Sequence, residues 1–487
     1  MIVTCNVRSA ALPLEFPEHP VSAIAAAVTT APAARTVRRV RKRAISAPSM
    51  SDFVQVGQSV RINVHYDFQV HNYEFEKRNG RCQADLMPSN NVWLRDTPGA
   101  LIPLFREHRD GLTKSETMRL TGLSRTAVSQ RIDALVEAGY LTSGSTTAGD
   151  VRGRPAERFT MHVRRGVLLV ADTGATEVRT ALCDPLGAVL EEQCGPLDIT
   201  EGPEQILSLI AARFDDLLQR AGVAHDRVLR IGLSLPGPVD HDRQRVVRPP
   251  IMTGWDDYDI AERLARDFAC PVTVEKDANA MALGEYRQVY PHTPALVFVK
   301  IGTGVGTGLI IHGDIYRGAD GAAGDIGHVP LHGQPTDKAP QCRCGNDGCV
   351  EAYAGGWALA RDLSAAGFPA RSVNEFIDHV RSGNRMALQL VKQAATIVGT
   401  AVSDIVNMVN PRIVVFGGQL AELDDILLAT ARNVIYGRSL PLATRNLRIA
   451  ATTLSAPGVH GLAQLLADQV NSAAAVDAIL TKTAPRE

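Results

Sequence analysis

The stretch Gly324–Glu351, GDIGHVPLHGQPTDKAPQCRCGNDGCVE, places one histidine ahead of three closely spaced cysteines. One imidazole and three thiolates form the tetrahedral ligand set of a closed structural zinc site. The first two cysteines are too close along the chain for an unstrained disulfide, and Gly345 and Gly348 supply the turns that bring the third back toward the same metal. We therefore expect bound Zn²⁺, the alternative being four unrelated buried residues. The candidate metal ligands are His328, Cys342, Cys344 and Cys349.

The motifs GDIGH and CRCGNDGCVE in this stretch resemble the zinc signature of the ROK family of sugar kinases and sugar-responsive repressors. The resemblance implies that the histidine and the three cysteines hold zinc. It also implies that Asp325, His328 and Glu351 line a sugar pocket. Asp325 stands where the family usually has Glu, which shortens the reach of that carboxylate by one methylene and puts this sugar contact in question.

Length and composition indicate an ordinary soluble protein of two or three domains, since 45% of the 487 residues are hydrophobic and 21% are charged. No apolar run approaches the ~20 residues that span a bilayer. The Ala-rich segment 21–34 precedes its basic cluster, whereas a signal peptide places positive charge first. The cysteines outside the cluster are scattered, which is typical of a reducing compartment. We therefore expect a cytoplasmic protein.

Charge is distributed unevenly along the chain. Residues 1–165 carry 23 Lys and Arg against 15 Asp and Glu, a net charge of +8, and the remainder carries 28 against 37, a net charge of −9. The positive charge of residues 1–165 favours a polyanionic partner for this part of the chain. The alternative is that the excess charge is only a solvated face. Residues 1–90 lack sustained periodicity and include the basic run Arg35–Arg43. We expect them to be disordered or an upstream extension before Met87, with a DNA-contacting arm as the alternative.

Residues 91–163 have the pattern of a winged helix-turn-helix. Helical spacing predicts helices over Gly99–His108, over Lys114–Leu120 and from Ser124 to Gly139, and Tyr140–Thr160 reads as a strand–turn–strand wing. Polar side chains on the third helix suit phosphates and base edges of a major groove. The candidate DNA-binding residues are Arg125, Thr126, Ser129, Gln130 and Arg131 on that helix, with Arg154 on the wing.

The sequence LSRTAVSQRIDALVEAGYL within this region closely resembles the winged helix of ROK and MarR-type repressors. Operator DNA is the partner that this resemblance implies. The alternative is a small helical bundle with a polar surface.

Two turns rich in small residues follow strand-like apolar runs further along the chain, at 172–176 and, with four glycines, at Gly302–Gly308. Small residues let backbone N–H groups approach phosphate oxygens closely. By resemblance to actin-like sugar kinases, the candidate phosphate-binding residues are Asp172, Gly174, Thr176, Gly302, Thr303, Gly304 and Gly306. Ala175 and Glu177 depart from the kinase pattern G-G-T-K by a methyl group and a negative charge, so ATP as a cofactor stays open.

The sequence Lys276-Asp277-Ala278-Asn279 follows a strand and opens a helix, and it resembles the family motif N-D-A-N. A carboxylate within reach of a hydroxyl is what general-base chemistry requires, and the resemblance assigns that role to Asp277 if the chain is a kinase. Lys276 replaces an Asn that contacts sugar, which favours an anionic ligand such as a sugar phosphate or lowers the affinity for a neutral sugar. The alternative for Asp277 is a helix cap. The ligand-binding candidates are Lys276, Asp277, Asp325, His328 and Glu351.

The resemblance covers about residues 97–470 and implies an α/β fold class, with an N-terminal winged helix-turn-helix followed by a two-lobed actin-like, ribonuclease H-like ATPase fold over 166–487. We expect a small lobe at about 166–284, joined by a closing helix at 459–470. The large lobe is expected at about 285–458.

We expect a sugar-responsive transcriptional regulator, a repressor, that works as a homodimer or higher homo-oligomer. An active ATP-dependent sugar kinase with an appended DNA-binding domain is the alternative. A third possibility is a DNA-binding protein whose sugar lobe serves only dimerisation.

Overall fold

The computed structural model describes residues 4–6, 50–56, 59–66, 69–78, 81–85, 97–145, 157–331, 339–423 and 425–483. The chain divides into two compact units, 1–96 and 97–487. In the part of the chain so described, no helix combines the length and the apolar character needed to cross a membrane.

The first unit contains five antiparallel strands in the order β1-β5-β4-β3-β2. The strands are β1 Thr4–Asn6, β2 Met50–Val56, β3 Ser59–Tyr66, β4 Gln69–Arg78 and β5 Arg81–Asp85. The basic run Arg35–Arg43 lies outside the described residues. The expectation of a disordered or upstream segment at 1–90 stays a prediction.

The second unit opens with short helices and a three-stranded sheet, which we call the N-terminal segment (residues 97–161). A 3₁₀ turn, Pro98–Leu101, runs directly into the first helix. The elements that follow are α1 Ile102–Glu107, β6 Leu112–Thr113, α2 Lys114–Thr121, α3 Arg125–Glu137, β7 Leu141–Ser145 and β8 Glu157–Met161. The sheet order is β6-β8-β7.

Local sequence explains where the helices of the N-terminal segment begin and end. The Thr113 hydroxyl accepts from the Glu116 N–H and the Glu116 carboxylate accepts from the Thr113 N–H, a reciprocal capping box that starts α2. Gly122 ends α2 with φ of 71°, a left-handed conformation that glycine adopts without strain. The Ser124 hydroxyl then caps α3 by accepting from the Ala127 N–H. These caps agree with the predicted helix starts at Thr113 and Ser124.

The predicted outward orientation of Arg131 is wrong. Its side chain is buried, with an exposed fraction of 7%. Position 131 lies one turn from Val128 and from Leu135, both fully buried, so it falls at the edge of the inward face of α3. Arg154, the predicted DNA contact on the wing, lies outside the described residues.

Two five-stranded sheets of like topology form the rest of the unit. In each, three antiparallel strands are extended by two parallel ones, in the orders β11-β10-β9-β12-β15 and β18-β17-β16-β19-β20. The first sheet is built from β9 Val167–Thr173, β10 Glu177–Cys183, β11 Val189–Pro196, β12 Val228–Leu235 and, after the small hairpin β13 Val239–Asp240 and β14 Arg245–Val246, β15 Val272–Lys276. The second is built from β16 Ala295–Ile301, β17 Val305–Ile311, β18 Asp314–Ile315, β19 Ile413–Gly417 and β20 Arg448–Ala451.

Helices cover both sheets. They are α4 Pro203–Ala221, α5 Ile260–Ala265, α6 Asp277–Gln288, α7 Val350–Ala354, α8 Gly356–Ala365, α9 Val373–Arg381, α10 Arg385–Val409, α11 Asp425–Arg438, α12 Pro441–Thr444, α13 Pro457–Val470 and α14 Ala473–Thr483. Leu462 and Leu466 of α13 share one buried cluster with Leu168 and Val170 of β9. This packing is in keeping with a closing helix on the small lobe, although the lobe boundaries themselves stay predictions.

Helices α6 and α13 cross with their backbones in contact. A Cβ atom on Gly461 of α13 would overlap the carbonyl oxygen of Ala280, and one on Gly284 of α6 would overlap the carbonyl oxygen of Pro457. Backbone atoms cannot swing aside as a flexible side chain can, so only glycine fits at these two positions.

Gly461→Ala should therefore lower the free energy of unfolding by about 1–3 kcal/mol, because the added methyl group forces the two helices apart. Gly437→Ala is the matched control, since Gly437 lies in α11 with no atom within 4 Å of its Cβ position. That change should raise stability by about 0.5–1 kcal/mol through helix propensity. Thermal denaturation of both variants gives the comparison, and equal melting temperatures for Gly461→Ala and the unmodified protein would contradict the close crossing.

Candidate functional site

One cleft collects every residue that the sequence analysis assigned to ligand or phosphate binding. Its walls come from the loops at the ends of both sheets, together with the first turns of α6 and α13. The predicted residues that line it are Lys276, Asp277, Asp325, His328, Glu351, Asp172, Gly174, Thr176, Gly302, Thr303, Gly304 and Gly306. Residues far apart in sequence thus form a single site.

Three consecutive residues at the junction of β15 and α6 each form an ion pair. Glu275 receives two hydrogen bonds from the Arg317 guanidinium, at 2.9 and 2.6 Å. Lys276 pairs with a carboxylate from the loop after β18, and Asp277 pairs with an ammonium from β16. All three side chains of the junction are buried. Buried charges of this kind require partners, because an unpaired one would lose its hydration without compensation.

The partner of Lys276 is Asp325. These are two of the positions at which the sequence departs from the family pattern, and the structure places their charged atoms in contact. The Lys276 side chain is only 6% exposed. Its ammonium is therefore already neutralised before any ligand binds, which removes the main reason to expect an anionic ligand at this point.

The partner of Asp277 is Lys300, whose ammonium contacts Oδ2, while Oδ1 accepts from the Ala278 N–H at 2.6 Å. Burial alone would lower the pKa of Lys300, but the surrounding carboxylates outweigh it and raise that pKa above its usual value. Those carboxylates are Asp277, Asp172 and Glu177. Lys300 was not among the predicted site residues. The signal for it was a single charge inside the otherwise apolar strand β16, since lysine is rarely buried unless it is paired.

Asp172 lines the same cleft as Asp277 and Lys300. Burial raises the pKa of its carboxyl, and a hydrogen bond from the Ser234 hydroxyl to Oδ1 opposes that rise. The carboxylate also lies against Gly458 in the first turn of α13, where a Cβ atom would collide with it. The N-terminal end of α13 therefore contacts the cleft directly through backbone.

Glu351 connects the glycine loop after β16 to the helices that follow the cysteines. It is buried, and its Oε2 accepts from the Val305 N–H at 3.0 Å while Oε1 accepts from the Trp357 indole at 3.2 Å. Each oxygen keeps a second lone pair, so the carboxylate can still accept a hydrogen bond from a ligand hydroxyl.

The four predicted metal ligands lie together, with their donor atoms all within 4.8 Å of one another, so they could hold a metal ion. Cys342 Sγ lies 3.8 Å from Nδ1 of His328, and the Sγ atoms of Cys344 and Cys349 are 3.7 Å apart. The turn that brings the cysteines together uses Gly345 and Gly348 at φ of 94° and 75°, as predicted. Backbone hydrogen bonds from Leu331 to Gly348 and from Val350 to Val329 fix the last cysteine beside the histidine.

The predicted DNA-binding residues of α3 lie apart from the cleft. Arg125, Thr126 and Gln130 are exposed on one side of its first two turns. Ser129 instead accepts from the Lys114 ammonium at 2.8 Å and donates to Asp133 at 3.2 Å, so it joins α2 to α3. Thus three of the five residues of α3 that were predicted to bind DNA are exposed.

Comparison with known proteins agrees with the family resemblance found in the sequence. The family model described as "ROK family" matches residues 169–469. A putative xylose repressor of Caldicellulosiruptor sp. (strain Rt8B.4) is 25% identical over 368 residues, which cover 73% of this chain and 90% of that protein. A glucokinase of Halalkalibacterium halodurans is 27% identical over 317 residues, which cover 62% of this chain and 95% of that protein.

Among solved structures, one described as a ROK family transcriptional regulator, homologous to the E. coli MLC protein, matches with a TM-score of 0.65 and 20% identity. The match covers 80% of this chain and all of that one. At this identity the likeness establishes the fold, an actin-like sugar-kinase-type arrangement of mixed α/β sheets. Since the family model matches more than half of the residues, this chain belongs to the ROK family.

Proposed function

We propose that the chain is a sugar-responsive transcriptional repressor whose N-terminal segment is a winged helix-turn-helix that binds operator DNA, while the cleft binds a neutral sugar. The observation that carries the proposal is the attachment of the N-terminal segment to α13, the helix whose first turn lines the cleft. A ligand that moves α13 would thereby act on the DNA-binding part.

Several features support DNA binding by the N-terminal segment. Helices α2 and α3 are joined by a three-residue turn at Gly122, and β7 and β8 follow as a hairpin in the position of a wing. Residues 97–165 carry 11 Lys and Arg against 7 Asp and Glu, a net charge of +4. The exposed side chains on α3 can donate to phosphates and base edges. The repressor relative above also extends further over this chain, 73%, than the glucokinase, 62%.

The charge balance of the cleft favours a neutral sugar over a sugar phosphate. The acidic side chains that line it are Asp172, Glu177, Asp277, Asp325 and Glu351, and the basic ones are Arg179, Lys276, Lys300 and Arg343. Both lysines are neutralised by ion pairs. Paired carboxylates with free lone pairs accept hydrogen bonds from hydroxyl groups, whereas a phosphate would meet net negative charge.

Helices α6 and α13 provide the connection between the cleft and the DNA-binding part. Both begin at the cleft, and near their far ends Asp468 of α13 accepts from Arg287 of α6 at 2.9 Å. The other oxygen of Asp468 accepts from Arg106 of α1 at 2.6 Å. Asp477 of α14 accepts from the Gly99 N–H at 2.8 Å, which fastens the start of the N-terminal segment to the same region.

DNA binding and sugar binding should be linked. We expect a neutral sugar, with xylose and glucose as the first probes, to raise the melting temperature of the full chain without ATP and to change its affinity for a selected operator by roughly 5- to 150-fold. Operator sites can be obtained by selection from a random 30-base-pair library, and affinity measured by fluorescence anisotropy. Arg125→Ala should weaken DNA binding without affecting sugar binding, with Arg220→Ala on α4 as an exposed control. Unchanged operator affinity across a full sugar panel would refute a sugar-responsive regulator.

Asp468→Asn should reduce this linkage while leaving both binding activities in place. The substitution removes the charge that holds Arg106 and Arg287 together, so motion of α13 is transmitted less fully, and the ratio of operator affinities with and without sugar should fall by roughly 3- to 10-fold. Asp216→Asn, which breaks an exposed ion pair with Arg220, is the control. The assigned role of Asp468 is wrong if the ratio is the same in both variants.

We further infer that the metal held by the His–Cys cluster is zinc. At a zinc–sulfur distance of about 2.3 Å, two sulfur ligands of a regular tetrahedron lie about 3.8 Å apart, and the Sγ atoms of Cys344 and Cys349 are 3.7 Å apart. Burial raises the pKa of the Cys342 and Cys349 thiols, so a cation is needed to keep them as thiolates at neutral pH. Zinc would hold His328 at the cleft and Glu351 against the glycine loop.

Cys344→Ser should lose the zinc, lower the melting temperature and abolish the sugar response, because His328 and Glu351 are no longer held in position. Metal content by mass spectrometry and thermal denaturation provide the two measurements. Cys194→Ser, on the exposed strand β11, should retain one zinc per chain and an unchanged melting temperature. A Cys344→Ser protein without zinc that still responds to sugar would show that the metal is unrelated to ligand binding.

The second candidate function is an active sugar kinase, and the position of Asp277 in the cleft beside both glycine loops favours it. ATP-dependent phosphorylation of glucose or xylose that disappears in Asp277→Asn would establish it. The pairing of Asp277 with Lys300 argues against it.

A further inference from the structure

Lys300 occupies the point at which the acidic side chains of the cleft converge. It is the single charged residue of β16, whose other residues, Ala295–Val299 and Ile301, are apolar and buried. Its ammonium contacts Asp277, and Asp172 and Glu177 line the same cleft. Three acidic groups from three separate elements therefore lie in one cleft with this built-in cation.

The likeness to sugar kinases implies a divalent cation and a nucleotide at this end of the cleft, and the residues present do not fit that group. A divalent cation is held by oxygen ligands such as carboxylates, and a neighbouring positive charge opposes its binding by repulsion. Here the ammonium of Lys300 already contacts Oδ2 of Asp277. The side chains of Ala175 and Glu177 add a methyl group and a negative charge at the loop that would approach a phosphate.

We propose that Lys300 is a specificity-determining residue that takes the place of a divalent cation among Asp277, Asp172 and Glu177, and so restricts the cleft to a sugar bound without metal or nucleotide. With Oδ2 on Lys300 and Oδ1 on the Ala278 N–H, Asp277 keeps lone pairs for accepting a sugar hydroxyl. Its carboxylate is held as a hydrogen-bond acceptor. This inference rests on the proposed sugar-binding function for its ligand, but its cation chemistry can be tested separately.

Removing the positive charge tests the replacement directly. Lys300→Met is unbranched and one atom shorter than lysine, and it removes the cation that contacts Asp277, so its melting temperature in metal-free buffer should lie well below that of the unmodified protein. Addition of roughly 10 mM Mg²⁺ should restore several degrees in Lys300→Met, because the divalent cation now binds among the carboxylates. Mn²⁺ binding, followed by electron paramagnetic resonance on the zinc-loaded full chain, should show one added site in this variant.

Two controls separate charge from packing. Lys300→Arg retains a cation, so it should show no Mg²⁺ response and no added Mn²⁺ site. Lys392→Met, on the exposed face of α10, should behave like the unmodified protein. The inference is overturned if the Mg²⁺ response of Lys300→Met does not exceed that of Lys392→Met.

The unmodified protein provides a measurement that does not depend on whether any variant folds. Mg²⁺ with the nucleotide analogue AMP-PNP at roughly 1 mM should leave its melting temperature unchanged. Stabilisation by Mg²⁺ and AMP-PNP would overturn the inference. If no sugar stabilises the unmodified protein but the Mg²⁺ response of Lys300→Met is found, the proposed sugar function fails while the assignment of Lys300 as the counter-ion stands.

Discussion

The contact between α6 and α13 admits no side chain at Gly284 or Gly461, and the cleft is built on that contact. Gly284 and Gly461 let the two helix backbones meet, which brings the first turn of each helix to the same end of the molecule. Asp277 begins one helix and Gly458 lies in the first turn of the other, against the Asp172 carboxylate. If one added methyl group pushed the two helices apart, Asp277 and Asp172 would be displaced relative to each other, since close-packed interiors cannot absorb added volume locally.

Charge pairing explains how so many ionised groups can lie side by side in this cleft. Removing a carboxylate or an ammonium from water costs several kcal/mol, and mutual attraction offsets this cost only when the partners are in contact. Glu275, Lys276 and Asp277 meet that requirement with three different partners. The consequence is a site rich in hydrogen-bonding atoms but poor in uncompensated charge, which suits hydroxyl groups better than phosphates.

Sequence patterns predicted the parts of this protein whose chemistry is local. The cysteine turn could be predicted because its ligands, glycines and spacing fall within a few residues, and the two glycine loops because strand and turn signals adjoin. Contacts between distant residues were missed. Lys276 and Asp325 were each recognised as unusual, but their pairing depends on two loops meeting 49 residues apart. Lys300 was read only as part of a strand, although a lone lysine in such a run already requires a partner.

Arg131 shows a different limit of the sequence. Its residue type favours solvent or DNA, whereas its position, one turn from Val128, places it at the edge of the buried face of α3. The helical period decided its location, and residue type did not.

The attachment of the N-terminal segment differs in kind from the contacts inside the cleft, and this difference bears on how a signal could pass. The side chains of Arg106, Asp468 and Arg287 are 24%, 34% and 37% exposed, so water and salt screen their attraction. The α6–α13 crossing, in contrast, is backbone against backbone and buried. These exposed ion pairs can be exchanged at small cost when the N-terminal segment shifts, whereas the Pro98–Leu101 turn packs closely on α14, where a Cβ atom on Gly99 would overlap the carbonyl oxygen of Ala473. A strongly apolar junction would fix one arrangement, and a ligand with modest differential affinity could not alter it.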